Sequence, residues 1–115
     1  MKIYLAGPMR GYKAYNHPAF DAAAAKLRAE GHSVFSPAEH DREAFPEFDW
    51  YNMTGNMEAD GLTDSNMRTV IKKDLNWIAD NADAIVLLSG WQKSHGVKIE
   101  HALGEFLGLY IREIL

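Results

Sequence analysis

Five apolar residues in succession, Ala84-Ile85-Val86-Leu87-Leu88, followed at once by Ser89-Gly90, restrict this chain more than any other stretch. The run is too short for a helix and shows no polar alternation. That is the pattern of a strand covered on both faces, and such strands belong to parallel sheets with helices on either side. A polar loop punctuated by Gly90 and Gly96 then leads to Val97. From there Ile99, Ala102, Leu103, Phe106 and Leu107 recur at helical spacing and predict one apolar helix face. Glu100 falls off that stripe, in the expected first turn, where the partial positive charge of a helix N-terminus favours an ionised carboxylate. Backbone N–H groups around Ser94, His95 and Gly96 leave the same helix end and point to an anion site.

Lys2 to Ala6 reads as the first strand, stopped by Gly7-Pro8. The loop after it, Gly7-Pro8-Met9-Arg10-Gly11-Tyr12, sets two glycines around an arginine, a second place able to hold an anion. Asn16 as N-cap and Pro18 near the first helical position predict a helix with Phe20, Ala23, Ala24 and Leu27 inward and Gly31 at its end. Ser33 to Ser36 is a short second strand, halted by Pro37. Residues 38–62 show no convincing period and predict a long irregular excursion with at most one short helical turn. Its aromatics, Phe45, Phe48, Trp50 and Tyr51, favour an ordered lid or partner contact. A helix follows, capped by Thr63 or Ser65 and running to about Ala79, with Met67, Val70, Ile71, Leu75, Trp77 and Ile78 apolar. Leu109 to Ile114 supplies a last strand.

Strands and helices that alternate in this way predict a single α/β domain over residues 1–115. The expected architecture is Rossmann-like, a three-layer sandwich around a parallel sheet of about four strands in the flavodoxin-like order 2-1-3-4. Ligands bind such sheets beyond the carboxyl ends of the strands where the order reverses, so the Gly7–Tyr12 and Ser89–Gly96 loops should meet at the site.

A net charge of −4 with scattered Lys and Arg argues against a nucleic-acid polymer as partner. The chain has no cysteine, which excludes disulfides and thiolate metal sites. Its N-terminal apolar run is too brief for a signal or a membrane span, so a cytoplasmic protein is expected. The five histidines lack metal-ligand spacing. Neither a phosphate-binding G-x-x-x-x-G-K-[ST] loop nor G-x-G-x-x-G is present, and neither metal nor cofactor is expected.

Asp74 is the residue most in need of explanation, because Val70, Ile71, Trp77 and Ile78 place it inside an apolar stripe where an unpaired carboxylate is costly. It either caps a loop or pairs with an arginine, or it faces the switch point beside Glu100. In the second case burial raises one carboxyl pKa while the helix terminus keeps the other ionised. Such a pair suits glycosidic bond cleavage, with one carboxylate at the anomeric carbon and the other assisting the leaving group. Arg10 is either an ordinary surface residue or, with Ser94 across the switch point, a phosphate clamp. Tyr4, Trp77 and Trp91 read as packing residues.

Three segments taken together, Tyr4-Leu-Ala-Gly-Pro-Met-Arg-Gly11, Asp74-Leu-Asn-Trp-Ile78 with Ala82-Asp83, and Ser94-His-Gly-Val-Lys-Ile-Glu100 with Ala102 and Gly104, resemble the nucleoside 2-deoxyribosyltransferase superfamily. Within it the likeness is greatest to the 2'-deoxynucleoside 5'-monophosphate N-glycosidases. It does not extend to residues 38–62. The resemblance implies a nucleophilic Glu100, Asp74 as second carboxylate, and Tyr4 orienting nucleophile or sugar. It further implies a 5'-phosphate held by Ser94 and the Met9-Arg10-Gly11 segment, with Gly7 and Gly96 in the binding loops, and a homodimer or larger oligomer in which a neighbouring subunit completes the site. Hydrolysis of a nucleotide, base exchange between nucleosides, and nucleotide binding without chemistry are the activities compatible with these residues.

Overall fold

The computed structural model describes residues 1–114. At its centre β1 (Lys2–Ala6) lies between β2 (Ser33–Phe35) and β3 (Ala84–Leu87), and β4 (Tyr110–Glu113) forms the far edge. The four strands are all parallel, in the order β2-β1-β3-β4 expected from the alternation of elements. Strand pleating divides the core in two. Ile3, Leu5, Ala84 and Val86 face α1 (His17–Ala29) through Phe20, Ala23, Ala24 and Leu27. Tyr4, Ala6, Ile85 and Leu87 face the other layer, where Ile78 of α4 (Asp64–Asn81) and Val97 of α5 (His95–Leu107) close the core. Among the described residues, no helix is long and apolar enough to cross a membrane.

Residues 38–62 are far more ordered than their lack of period suggested. Pro37, which ends β2, also opens α2 (Pro37–Ala44), with Glu39 in its first turn and Arg42 in its last. Proline suits the first helical turn because it lacks only an N–H that would find no partner there. A short 3-10 turn at Trp50–Asn52 and the single turn α3 (Met57–Asp60) follow. Trp50, Met53 and Leu62 pack with Tyr15 in a third cluster of their own, against which Phe45 and Phe48 are half-buried, while Tyr51 is exposed.

Of the caps expected at helix starts, one fails and one holds. Asn16 does not cap α1 with its side chain. It closes a left-handed turn in which Ala14, Tyr15 and Asn16 all have positive φ (56°, 49° and 62°), and its amide donates to the Pro8 carbonyl at 2.9 Å. Thr63 does cap α4, in a reciprocal box with Asn66.

The apolar stripe read along α5 is not its buried face. Ile99 is 51% exposed and Phe106 85%, whereas Val97, Glu100 and Gly104 are buried. Gly104 is the reason. A Cβ there would sit 2.5 Å from Ile85 Cδ1, so the helix approaches the sheet along its smallest residue and the larger ones turn outward.

Gly55 holds the irregular segment to the first loop. Its φ is +94°, and an added Cβ would lie 2.3 Å from the Tyr12 carbonyl oxygen. Gly31 has a similar φ, +95°, in open space. Gly31→Ala should therefore cost only the left-handed backbone, about 1 kcal/mol, and Gly55→Ala about 2 kcal/mol or more because backbone must also move. Equal losses in urea unfolding would refute the steric account.

Candidate active site

Gly7 brings the carboxyl ends of β1 and β3 together, since a Cβ at that position would meet Leu88 Cβ at 2.8 Å. Above them opens a cavity of about 570 Å³, walled by the loop after β1, the inner face of α4, Asp41 of α2 and the N-terminal half of α5. It lies where the strand order reverses, as expected for this topology.

Tyr4 does not line the cavity but lies behind Glu100, fully buried, its ring stacked on Phe35 at 5.4 Å and tilted against Trp77 at 6.4 Å. Its hydroxyl donates to Glu100 Oε2 at 2.5 Å, a bond across β1 and α5. Asp74 comes to the same hydroxyl from α4. Burial pushes the Glu100 carboxyl up to about 8, opposed by the Tyr4 hydroxyl and reinforced by the negative charges of Asp74 and Asp41. Burial likewise raises Asp74 to about 7, with the Tyr4 hydroxyl and Lys73 pulling it back. The Tyr4 phenol itself is raised well above its usual range, by burial and by the two carboxylates, and so stays a donor.

Glu100 thus departs from expectation in position and charge. Helix α5 starts at His95, which sets Glu100 beyond its first turn and facing the sheet, not at the tip. Desolvation outweighs the helix field, and both carboxyls of the pair are raised.

Of the predicted anion-binding residues, Gly7, Met9, Arg10, Ser94 and Gly96 line the cavity. Gly11 does not: it is exposed, and its N–H is taken by the Gly55 carbonyl at 2.9 Å. Ser94 Oγ accepts from the Val97 N–H at 3.3 Å as the N-cap of α5, which leaves its proton to donate into the cavity. Arg68 and Lys93 join Arg10 on the cavity wall, and all three are exposed with no carboxylate partner among the described residues. Spacing could not show these two, because an exposed cation on a helix or loop is ordinary.

Asp41 is the other residue that sequence reasoning missed. It is buried with Pro37 and Ala38 on the inward side of α2, and that pattern was legible only once the helix was recognised. Its carboxyl is raised to about 8, by burial first and then by the charge of Asp74. Among the described residues no group of His, Asp or Glu has the arrangement to hold a metal ion.

Three raised carboxyls make a prediction about stability. Free Asp and Glu titrate near pH 4, so above that the unfolded chain has released protons that the folded chain still binds, and stability falls as pH rises toward 8. His17 and His40 act in the opposite direction, their pKa values lowered by burial, but that effect is complete above about pH 6.5. The thermal midpoint should therefore drop between about pH 6.5 and 8.5, and Asp41→Asn or Glu100→Gln should flatten the slope. A midpoint that climbs over this interval would contradict the buried cluster.

Neither a curated protein nor a solved structure matches the chain. One family model does, over residues 1–113, and it is described as a domain of unknown function, DUF4406. The match takes in every strand and helix of the sheet together with Tyr4, Asp41, Asp74 and Glu100, and the chain therefore belongs to the DUF4406 family.

Proposed function

We propose that this chain hydrolyses the N-glycosidic bond of a nucleoside 5'-monophosphate, of the 2'-deoxy kind, releasing free base and sugar 5-phosphate. The observation that carries the reading is the Tyr4–Glu100 hydrogen bond beside Asp74, with both carboxyls lining one cavity. Its support from sequence is the resemblance to the nucleotide N-glycosidases, in which the matching residues do this work.

Between their two titrations the carboxyl pair carries one proton. With Glu100 the more strongly raised of the two, that proton rests on Glu100, and the reactive form is the one in which it has passed to Asp74 and the ionised Glu100 accepts from Tyr4. In this form a Glu100 oxygen attacks C1' as the C1'–N bond breaks. The bonding pair leaves with the base nitrogen, which takes the proton from Asp74. Water then adds to C1', giving its proton to Asp74 and displacing the Glu100 carboxylate. Both side chains return to their starting states.

The unpaired cations Arg10, Arg68 and Lys93 favour a phosphorylated substrate over a bare nucleoside, since a chain of net charge −4 otherwise repels an anion. Ser94 and the first amides of α5 complete an anion cradle. A screen of ribo- and deoxyribonucleoside monophosphates, followed by chromatography for free base, tests the activity. Glu100→Ala should lose at least about a thousandfold in kcat, and Arg10→Ala should raise KM for nucleotides more than for nucleosides. Wild-type turnover by Glu100→Ala defeats the mechanism, and base exchange faster than hydrolysis would make the enzyme a transferase.

A cytoplasmic homo-oligomer is part of the same reading. Ile99, Phe106, Leu107 and Tyr110 leave an apolar strip exposed on α5 and β4, and Ile99 also lines the cavity, so a second copy seated there would border the site. Phe106→Glu should convert a dimer to monomer in light scattering. A monomeric wild-type protein would dispose of this part.

A further inference from the structure

The proposed chemistry gives no reason for the strained turn that follows β1. Ala14, Tyr15 and Asn16 succeed one another at positive φ although none is glycine. Backbone in so unfavourable a region persists only where the structure around it enforces the conformation, and such places cluster at ligand clamps. The residue fixed most firmly by this segment is Tyr12. Its N–H donates to the Met9 carbonyl at 3.2 Å and its carbonyl accepts from the Tyr15 N–H at 2.9 Å. On either side of it, Gly11 donates to the Gly55 carbonyl at 2.9 Å and Ala14 to the Met53 carbonyl at 2.8 Å. Gly55 also lies against the Tyr12 backbone, too close for any side chain between them.

From this fixed backbone the phenol of Tyr12 crosses to the next loop. Its oxygen lies 2.7 Å from where a Cβ on Gly90 would stand, with Pro8 Cγ 3.4 Å from the same point. A side chain at 90 would displace it, and the φ of +87° there already calls for glycine. Tyr12 thus spans the crevice between the loops that follow β1 and β3, where the strand order reverses. It lines the main cavity, and its hydroxyl has no hydrogen-bond partner among the described residues.

The chemistry of that rim decides what the hydroxyl meets. The other polar side chains of these two loops on the cavity wall are Arg10, Lys93 and Ser94, with His95 at the start of α5. Each can donate, Arg10 and Lys93 can do nothing else, and no carboxylate stands among them, so the ligand that complements this rim is rich in acceptors. A phosphate monoester offers three terminal oxygens and a negative charge. On this basis, and resting on the glycosidase reading, we infer that Tyr12 binds the 5'-phosphate of the substrate through its hydroxyl and so selects nucleotides over nucleosides. Arg10 and Lys93 bring charge on long stems that must be ordered when the ligand arrives. Tyr12 brings a donor on a ring with few rotatable bonds, rooted in backbone that is already held in place. Such preorganisation lowers the entropy lost on binding, and the strained turn is what it costs in the free protein.

The test measures KM for deoxynucleoside 5'-monophosphates and for the corresponding deoxynucleosides in wild type, Tyr12→Phe and Tyr12→Ala. Phenylalanine keeps the ring over Gly90 and removes only the hydroxyl. Both variants should raise KM for the nucleotides by about tenfold or more, the loss expected when a hydrogen bond to a charged group is removed. A nucleotide KM that Tyr12→Phe leaves unchanged overturns the inference and leaves the glycosidase reading standing. That holds also where Tyr12→Ala alone raises it, because the ring and not the hydroxyl would then be acting. An equal rise for deoxynucleosides overturns the inference too, by moving the contact from phosphate to sugar. If nothing is cleaved, calorimetric titration of wild type and Tyr12→Phe with ribose 5-phosphate decides. Binding about tenfold weaker in Tyr12→Phe upholds the inference while the glycosidase reading falls. Binding that is equal in the two proteins, or absent from both, overturns it.

Discussion

Helix α5 lies close enough to the sheet for Glu100 to reach Tyr4, and the rest of the site depends on that approach. Gly104 permits it, one turn beyond Glu100 on the same face, by leaving Ile85 room. With the helix seated there, Val97 enters the core, Glu100 meets the phenol rising from β1, and Ser94 is left at the mouth as cap and donor. A bulkier residue at 104 would lift the whole helix and with it Glu100, although it would touch nothing in the cavity.

The arrangement is expensive for a small domain. Three carboxyls and a phenol lie buried close together, and their mutual repulsion is relieved by protons, by one short hydrogen bond and in part by the charges of Lys73 and Arg42. A core built for stability alone would hold apolar residues there. Such a cluster, at the point in the topology where ligands bind, is a place where stability is given up, and that cost is what the proposed chemistry would account for.

Much of this was legible in the sequence, and the misses share a cause. The strand order followed from the alternation of elements and from an apolar run that needs cover on both faces. Asp74, Glu100, Arg10 and Ser94 converge on the cavity, with Tyr4 behind Glu100, because they sit on elements and loops whose positions the topology dictates. Periodicity failed where packing is decided by small residues. It counted the large apolar side chains of α5 and assigned them inward, although Gly104 makes the other side the close-packed one. It failed again at Pro37, which stops a strand and starts a helix with equal ease, and so Asp41 stayed hidden in a segment read as irregular. Gly11 was misjudged because a glycine near an arginine suggests an anion loop, whereas its N–H is spent on Gly55.

The left-handed turn at Ala14–Asn16 ties these parts together mechanically. Residues other than glycine adopt that conformation at a cost of roughly 1–2 kcal/mol each, and here it is clamped from both sides, by the Ala14 N–H to the Met53 carbonyl at 2.8 Å and by the Asn16 amide to Pro8. Pro8 begins the segment that carries Arg10, and Met53 belongs to the Trp50 cluster. The loop that carries Arg10 and the cluster that seats the Trp50 indole are thereby tethered to each other through one strained turn, so that neither is anchored independently of the other.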